Sequence, residues 1–344
     1  MSALEGDWRK TLDVVDAKLI DGYQSGVPVE RRPFRSIGDT LGVSEQEAVS
    51  RVQRLRETGV FRRFGAVLNP PVIGSSTLAA VQAPEDRFEE IATTINGYRQ
   101  VNHNYRRDHE WNMWFVITAA TQERRDRIIA EIETVAGDVL VLPLVTDYYI
   151  DLEFPVVNAD RFARESLDQT AVSATQVSEN ATADLSTLDR QLLVAIQDGL
   201  PLTKTPYSDV AEMIDASTET VVARIGRLLD NGCIKRIGCV VNHVVTGFDS
   251  NCMVVWEVPT DSLDTYGERV GAIPYVTLCY HRPRRPELDW PYTLFTMIHG
   301  RDADAVEERI DELANEQLPF AHERLYSTET LKQTGARYES LLRE

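Results

Sequence analysis

The spacing of apolar residues predicts one order of helices and strands that occurs twice along the chain. Early in each half, apolar residues recur every three or four positions over three segments, which indicates helices, and a glycine then precedes a short strand pair or wing. These segments are 12–20, 36–41, 44–55 and 60–68 in the first half, and 188–196, 210–214, 217–229 and 234–241 in the second. Three helices and a wing predict a winged helix-turn-helix domain in each half.

A second kind of domain follows each wing. Its segments run strand, helix, strand, strand, helix, strand, which is the ferredoxin-like order. They are 76–82, 89–95, 101–105, 113–118, 124–135 and 139–148 in the first half, and 251–257, 262–270, 276–281, 292–298, 303–313 and 320–326 in the second. The predicted fold class is α+β, a tandem repeat of a winged helix-turn-helix and a ferredoxin-like (βαββαβ) domain.

A sequence motif repeats in phase with these elements. Residues 59–69 return as residues 232–242, an offset of 173 positions that matches two glycines, an asparagine and several apolar residues. A repeat in constant phase indicates two homologous units, and such units commonly pack as a pair. We therefore expect an internal pseudo-dimer, with the functional site where the two ferredoxin-like domains meet.

The predicted domain boundaries follow from the same pattern. The winged helix domains are assigned to residues 8–72 and 184–245, and the ferredoxin-like domains to 73–157 and 246–338. Residues 158–183 are rich in Ala, Ser, Thr, Asp and Gln and lack apolar periodicity, which is typical of a flexible linker.

The net charge of the chain indicates its environment and the class of partner it can bind. Among 344 residues there are 36 basic and 54 acidic side chains, a net charge of −18, and only five of the basic residues are lysine. An acidic surface poor in lysine is typical of proteins that work in high salt, where screening weakens self-repulsion, so we predict a halophilic protein. The acidity also argues against nucleic acid as a partner, because binding a duplex needs a basic face.

Other compositional features predict a cytoplasmic protein without a metal site. The chain has no run of about 18 apolar residues and no hydrophobic signal segment at its start, which argues against the membrane as a partner. Its four cysteines lack C-x-x-C spacing, which argues against a thiolate metal centre. We expect four reduced, mostly buried thiols.

Two sets of motifs carry a family resemblance. R-x-x-R-L-x-x-x-G-x-x-x-R-x-G-x-x-x-N, from Arg51 and from Arg224, followed by a ferredoxin-like domain, resembles the Lrp/AsnC family of transcription regulators. H-N-Y-x-R-x-H-x-W-N-x-W-F from His103, with C-Y-x-R-P from Cys279 and W-P-Y-x-L-F-T-M-I-H-G from Trp290, resembles the siroheme decarboxylases, enzymes built on that scaffold. In that family two related subunits remove the acetate carboxyl groups at C12 and C18 of siroheme in an alternative haem pathway.

The resemblance implies a carboxy-lyase of haem, hence porphyrin, biosynthesis in which both subunits are fused. It implies siroheme as substrate and didecarboxysiroheme as product. No separate cofactor is expected, because decarboxylation leaves the oxidation state of the ring unchanged. Other haem-pathway enzymes remain open as partners.

The hairpin residues suit this chemistry. Guanidinium groups bind carboxylates bidentately, and aromatic walls suit a flat macrocycle. Loss of CO2 from a pyrrole acetate needs a general acid, for which histidine fits best. The predicted substrate-binding residues are Arg106, Arg107, Trp111, Asn112, Tyr280, His281, Arg282, Trp290, Tyr292 and His299.

We predict His103 as the general acid, with Tyr105 or His109 orienting it and Arg107 holding a substrate carboxylate. Strand alternation places His103, Tyr105 and Arg107 on one face. In the second half Leu278 takes the place of His103. Either His281 or His299 compensates for that loss, or the second half only binds substrate.

Two other functions stay open at this point. One is an Lrp/AsnC-type DNA-binding transcription regulator with an amino acid effector, whose recognition helices would be 44–55 and 217–229. Those helices carry glutamates near their starts beside the arginines, which makes a poor phosphate-facing surface. The other is a haem or siroheme sensor that binds without reacting, which only analysis of products would separate from the enzyme.

Overall fold

The fold was obtained as a computed structural model that describes residues 12–150, 175–176, 184–242, 250–300, 302–334 and 338. The helices are α1 (Val14–Gly22), α2 (Pro33–Leu41), α3 (Glu45–Glu57), α4 (Pro70–Ile73), α5 (Phe88–Gly97), α6 (Gln122–Ala136), α7 (Thr187–Ile196), α8 (Pro206–Met213), α9 (Thr218–Asp230), α10 (Leu263–Gly271) and α11 (Ala303–Glu312). The strands are β1 (Phe61–Leu68), β2 (Ser75–Val81), β3 (Val101–Arg107), β4 (Met113–Ala119), β5 (Val139–Pro143), β6 (Thr146–Ile150), β7 (Thr175–Gln176), β8 (Ile234–Val241), β9 (Ser250–Trp256), β10 (Val276–His281), β11 (Leu294–Gly300) and β12 (His322–Gln333). The order of elements confirms the predicted α+β class with two copies of each domain. Apart from β7, the predicted linker lies outside the described residues.

Of the two predicted forms, a strand pair or a wing, each copy has a wing made of a single strand. The pair forms between copies instead, because β1 and β8 are antiparallel and Gly65 lies opposite Gly238. Backbone from the opposite copy also bonds to each strand: Leu200 donates to the Phe64 carbonyl at 2.8 Å. The buried residues of both winged helix domains consequently form one continuous core.

The ferredoxin-like domains join into one ten-stranded sheet, in the order β5-β2-β4-β3-β12-β9-β11-β10-β6-β7. The strand predicted over 139–148 is broken after Pro143, so that β5 stays beside β2 of its own half and β6 pairs with β10 of the other. The strand predicted over 320–326 runs on to Gln333, and its second part pairs with β3 of the first half. Each half thus supplies one strand to the edge of the other.

Three hydrophobic layers hold this arrangement together. Helices α5 and α6 cover the first half of the sheet, and α10 and α11 cover the second. The inner layer joins the two halves, with Leu78, Trp114 and Leu142 from one packing among Val255, Phe295 and Leu325 from the other. The expected internal pseudo-dimer is confirmed, and the predicted site residues must be judged by their relation to this inner layer. No helix among the described residues is long and apolar enough to cross a membrane.

Candidate functional site

Strand β3 presents its side chains to two different surroundings. His103 and Tyr105 lie on one face, with ring centroids 6.1 Å apart, and the Arg107 guanidinium lies 6.0 Å from the Tyr105 ring centroid. Arg106 lies on the other face, where it pairs with Glu85 at 2.6 Å and covers a phenylalanine of α5. The structure therefore brings His103, Tyr105 and Arg107 together and places Arg106 apart from them.

His103 is largely enclosed and is neutral in the free protein. Its Nδ1 lies 2.8 Å from the Asn102 side-chain oxygen, and the Asn102 amide donates to Thr118 Oγ1 at 3.1 Å. Because an amide oxygen only accepts, Nδ1 carries the hydrogen and Nε2 is left with its lone pair. Burial and then the positive charge of Arg62 lower the pKa of His103 to about 4.

Arg62 is a site residue that sequence reasoning missed. It lies on β1, in the wing sheet, and its charge acts on both His103 and Tyr105. Its Nη2 also lies 3.4 Å from the side-chain oxygen of Asn242 in the other copy. The sequence feature that could have revealed it is its position in the repeated motif, where the second copy also has a basic residue, Lys235.

Arg107 and Arg282 form a pseudo-symmetric pair between the halves. Arg107 donates from Nη1 to the Leu325 carbonyl, and Arg282 donates from Nη1 to the Leu142 carbonyl, each reaching the opposite half. The Nε atom of each is buried and has no hydrogen-bond partner. Burial lowers the pKa of both guanidiniums, and among the described residues no carboxylate lies close enough to oppose that effect.

The aromatic residues of the two hairpins meet in the inner layer. The Trp290 ring centroid lies 5.4 Å from that of Trp114 and 4.9 Å from that of Tyr292, and Tyr280 stacks on Phe295 at 5.8 Å. Trp111 and Trp290 are 2% and 1% exposed, and their indole N–H groups have no hydrogen-bond partner among the described residues. In this structure the two indoles pack against neighbouring side chains and do not line an open surface, because an apolar sheet face is stabilised by burial.

Two predicted binding residues are engaged away from this cluster. The Asn112 amide makes two hydrogen bonds of 2.8 Å with the backbone of Ala83, which fixes the turn between β3 and β4. His281 follows the inward-facing Tyr280 along the strand and therefore points to the helix side of the sheet. There burial lowers the pKa of His281, and the charge of Asp264, on α10, acts to raise it. His281 does not take the place of Leu278, which packs on the inner layer.

The other two histidines predicted for the site are each hydrogen-bonded within the structure. His109 accepts the Trp111 backbone N–H at 3.0 Å, its ring meets Trp290 edge-on at 5.9 Å, and burial lowers its pKa. His299 is buried and its Nδ1 lies 2.8 Å from Thr277 Oγ1. Of the two residues expected to orient His103, only Tyr105 shows a ring contact with it among the described residues.

Comparisons with known proteins agree with this architecture. A family model described as AsnC-like ligand binding domain matches residues 73–148 and 245–332, and one described as Siroheme decarboxylase NirDL-like HTH domain matches residues 16–62 and 189–234. A crystal structure of the siroheme decarboxylase NirDL in complex with an iron-uroporphyrin III analogue has the same fold, with a TM-score of 0.70, 23% identity and 95% of both chains covered.

Two curated relatives are closer in sequence. The siroheme decarboxylase NirD subunit of Pseudomonas aeruginosa is 42% identical over 146 residues, which are 42% of this chain and 97% of the relative. The siroheme decarboxylase NirDL subunit of Paracoccus denitrificans is 37% identical over 333 residues, which are 95% of this chain and 98% of the relative. Because that likeness spans both repeats, this chain belongs to the siroheme decarboxylase family.

Proposed function

We propose that this protein removes CO2 from the C12 and C18 acetate side chains of siroheme and releases didecarboxysiroheme for haem biosynthesis, as a carboxy-lyase. The observation that carries the proposal is the pair formed by Arg107 and Arg282. A buried cation without a counter-charge costs several kcal/mol in principle. A ligand that brings carboxylates to the Nε and Nη atoms would offset that cost with bidentate, charge-assisted hydrogen bonds.

His103 supplies the proton in this proposal. The bond between the acetate methylene carbon and its carboxylate breaks, CO2 leaves, and the electron pair stays on the carbon and its pyrrole. A proton from His103 Nε2 then converts the methylene to a methyl group, so the ring is neither oxidised nor reduced. Water returns a proton to the imidazole afterwards.

The low pKa of His103 fits this role once substrate is bound. In the free protein a pKa of about 4 leaves the ring neutral near pH 7. Negative charges brought within a few ångströms favour the imidazolium form, and siroheme carries several carboxylates. The bound substrate would therefore raise the pKa of His103 and favour its protonated form. Arg62 binds one of the substrate carboxylates.

The contacts of the recognition helices favour the enzyme over a DNA-binding regulator. On α3, Arg51 and Arg54 lie 2.9 Å and 2.6 Å from the carboxylate of Asp16, which is buried on α1. In the second copy Arg224 lies 3.2 Å from Asp189, which is equally buried. These ion pairs hold α3 and α9 against the first helix of their own domains. A DNA phosphate would have to displace a buried carboxylate to bind the same guanidiniums.

A binding and turnover experiment tests the proposal. Siroheme is titrated anaerobically into the wild type, His103→Gln and a control, Glu90→Gln, whose exposed carboxylate pairs only with Arg87 among the described residues. Binding is followed by the absorbance of the tetrapyrrole and turnover by CO2 release. We expect all three proteins to bind and His103→Gln to release CO2 about 10²–10⁴-fold more slowly. Binding without CO2 release by the wild type would support the sensor, and no binding would support the regulator.

A further inference from the structure

The two halves carry different residues at matching positions around their inner tyrosines. In the first half Tyr105 pairs across the sheet with Thr330 of β12. In the second half Tyr280 pairs with Asp147 of β6. Paired residues of neighbouring strands share a face, so Asp147 lies beside Tyr280 on the inner side of the sheet.

The histidine and the cation differ as well. His103 precedes Tyr105 by two residues, and Leu278 precedes Tyr280 by two. The charge of Arg62, on β1, acts on His103 and Tyr105 in the first half. Its motif counterpart, Lys235 of β8, reaches Asp147 with an Nζ–Oδ2 distance of 3.3 Å. The half that has lost the histidine has therefore gained a carboxylate on the neighbouring strand.

Asp147 is not satisfied by its surroundings. The Lys235 ammonium binds Oδ2, whereas Oδ1 is buried and has no hydrogen-bond partner. A buried polar atom of this kind needs an explanation, such as a catalytic role or a missing ligand group. Burial also raises the pKa of Asp147, against the opposing charge of Lys235, which favours a carboxyl group able to hold a proton.

We infer that Asp147 is the proton donor of the second half and serves one of the two acetates while His103 serves the other. The inference rests on the proposed function. Protonated Oδ1 gives its proton to the methylene carbon as the bond to the departing carboxylate breaks and CO2 leaves. The Asp147 carboxylate formed in this step is stabilised by Lys235 and is protonated again by water, so the step needs no oxidant or reductant.

The alternative donor in the second half is His299. It lies on β11 and is bonded to Thr277 of β10, in the arrangement that joins Thr118 to Asn102 in the first half. That correspondence makes His299 the counterpart of a threonine that supports the site and not of His103. Asp147 is therefore the stronger candidate for the missing acid.

The test is a time course of siroheme turnover with mass analysis of the extracted tetrapyrroles. Four proteins are compared: wild type, Asp147→Asn, His299→Gln and the control Glu90→Gln. We expect the wild type and the control to lose two CO2, and Asp147→Asn to accumulate a product that has lost one, with the other loss slowed at least about 10²-fold. Because His299 occupies a supporting position, His299→Gln is expected to slow both losses together, without arrest after the first.

The products distinguish failure of the Asp147 assignment from failure of the proposed function. Double decarboxylation by Asp147→Asn at the wild-type rate, or arrest after one loss in His299→Gln alone, would overturn the assignment of Asp147. A wild type that loses no CO2 would instead overturn the proposed function. Asp147→Asn leaves Lys235 without its partner, so Asp147→Asn with Lys235→Met serves as a second variant that removes the ion pair as a neutral unit. It must show the same arrest while binding siroheme.

Discussion

At the scale of single residues, Arg107 and Arg282 are expected to contribute to siroheme binding and not to the stability of the fold. Both are held between the halves by one backbone carbonyl each, and no carboxylate among the described residues pairs with them. A residue kept only for the fold would be expected to have its charge compensated within the fold. The uncompensated charge therefore indicates a ligand.

Arg107→Met tests this directly. Siroheme binding should weaken about 10–100-fold, since a hydrogen bond to a charged group contributes about 1.5–3 kcal/mol. The free energy of unfolding should stay the same or rise, because an apolar side chain of similar length removes a buried charge. Equilibrium titration and urea denaturation measure the two quantities.

Arg106→Met is the matched control for that variant, since Arg106 lies on the opposite face of β3 with Glu85. It should leave siroheme binding unchanged. If Arg107→Met lost stability and kept its affinity, Arg107 would be a structural residue and the carboxylate site would have to lie elsewhere.

The pKa of His103 gives a pH dependence with a defined sign. The acid form is needed, so kcat/KM, which reports the free enzyme, should fall about tenfold per pH unit above the free-enzyme pKa of about 4. The value of kcat should hold to higher pH, because substrate carboxylates raise the pKa in the complex. Steady-state kinetics between pH 5 and pH 8 measures both, and a kcat/KM that does not change over this range would exclude His103 as the acid.

At the scale of elements, the repeated motif is explained by contacts between the copies. Asn69 donates from its side chain to the Gly232 carbonyl at 2.9 Å, and Asn242 donates to the Gly59 carbonyl at 3.4 Å. Both glycines have positive φ, +76° at Gly59 and +74° at Gly232, where they follow the ends of α3 and α9. Each copy of the motif therefore binds the other, which is why the same residues recur.

Gly238 is required by a close backbone contact in this wing sheet. A Cβ atom there would lie 1.9 Å from the Gln24 carbonyl oxygen, whereas a Cβ at Gly226 in α9 meets nothing within 4 Å. Gly238→Ala should lower the free energy of unfolding by about 1–3 kcal/mol through overpacking. Gly226→Ala should raise it by about 0.5–1 kcal/mol, because alanine is favoured in a helix interior. Denaturant unfolding measures both free energies. If Gly238→Ala were no less stable than Gly226→Ala, the close contact between Gly238 and the Gln24 backbone would be contradicted.

The sequence predicted the elements better than their pairing. Apolar spacing predicted the strands over 139–148 and 320–326, yet it carries no information on which half supplies the partner strand. In both, the first part pairs within its own half and the later part crosses to the other. Asp147 lies on one crossing strand, so its place beside Tyr280 was not predictable from spacing. Strand alternation did predict the shared face of His103, Tyr105 and Arg107, because it depends only on local geometry. The enclosure of Trp290 was missed, because it depends on how the two halves of the sheet pack against each other.

At the scale of the whole molecule, the net charge of −18 predicts a dependence on salt. At about 0.1 M ionic strength charges interact over roughly 10 Å, and at about 1 M over roughly 3 Å. The temperature of half-unfolding should therefore rise between 0.1 M and 2 M KCl as repulsion between carboxylates is screened. Calorimetry measures this temperature, and KCl is preferred to sulfate because sulfate strengthens apolar burial in any protein. A temperature independent of KCl would contradict the halophilic interpretation.

The pseudo-dimer would allow both steps of the proposed reaction to occur in a single chain. Each half contributes an inner tyrosine and a buried arginine, and the crossing strands place parts of each site on the other half. The proposed acids differ, with His103 in one half and Asp147 in the other. Both decarboxylations would then occur within one molecule.

The most direct test of the proposed function is anaerobic incubation of the wild type with siroheme in high salt, followed by mass analysis of the tetrapyrrole. We predict the loss of two CO2 and no other change in mass, because two acetates become methyl groups without oxidation or reduction of the ring. Siroheme recovered with its mass unchanged, after binding has been shown by absorbance, would contradict the account and leave a binding protein built on an enzyme's fold.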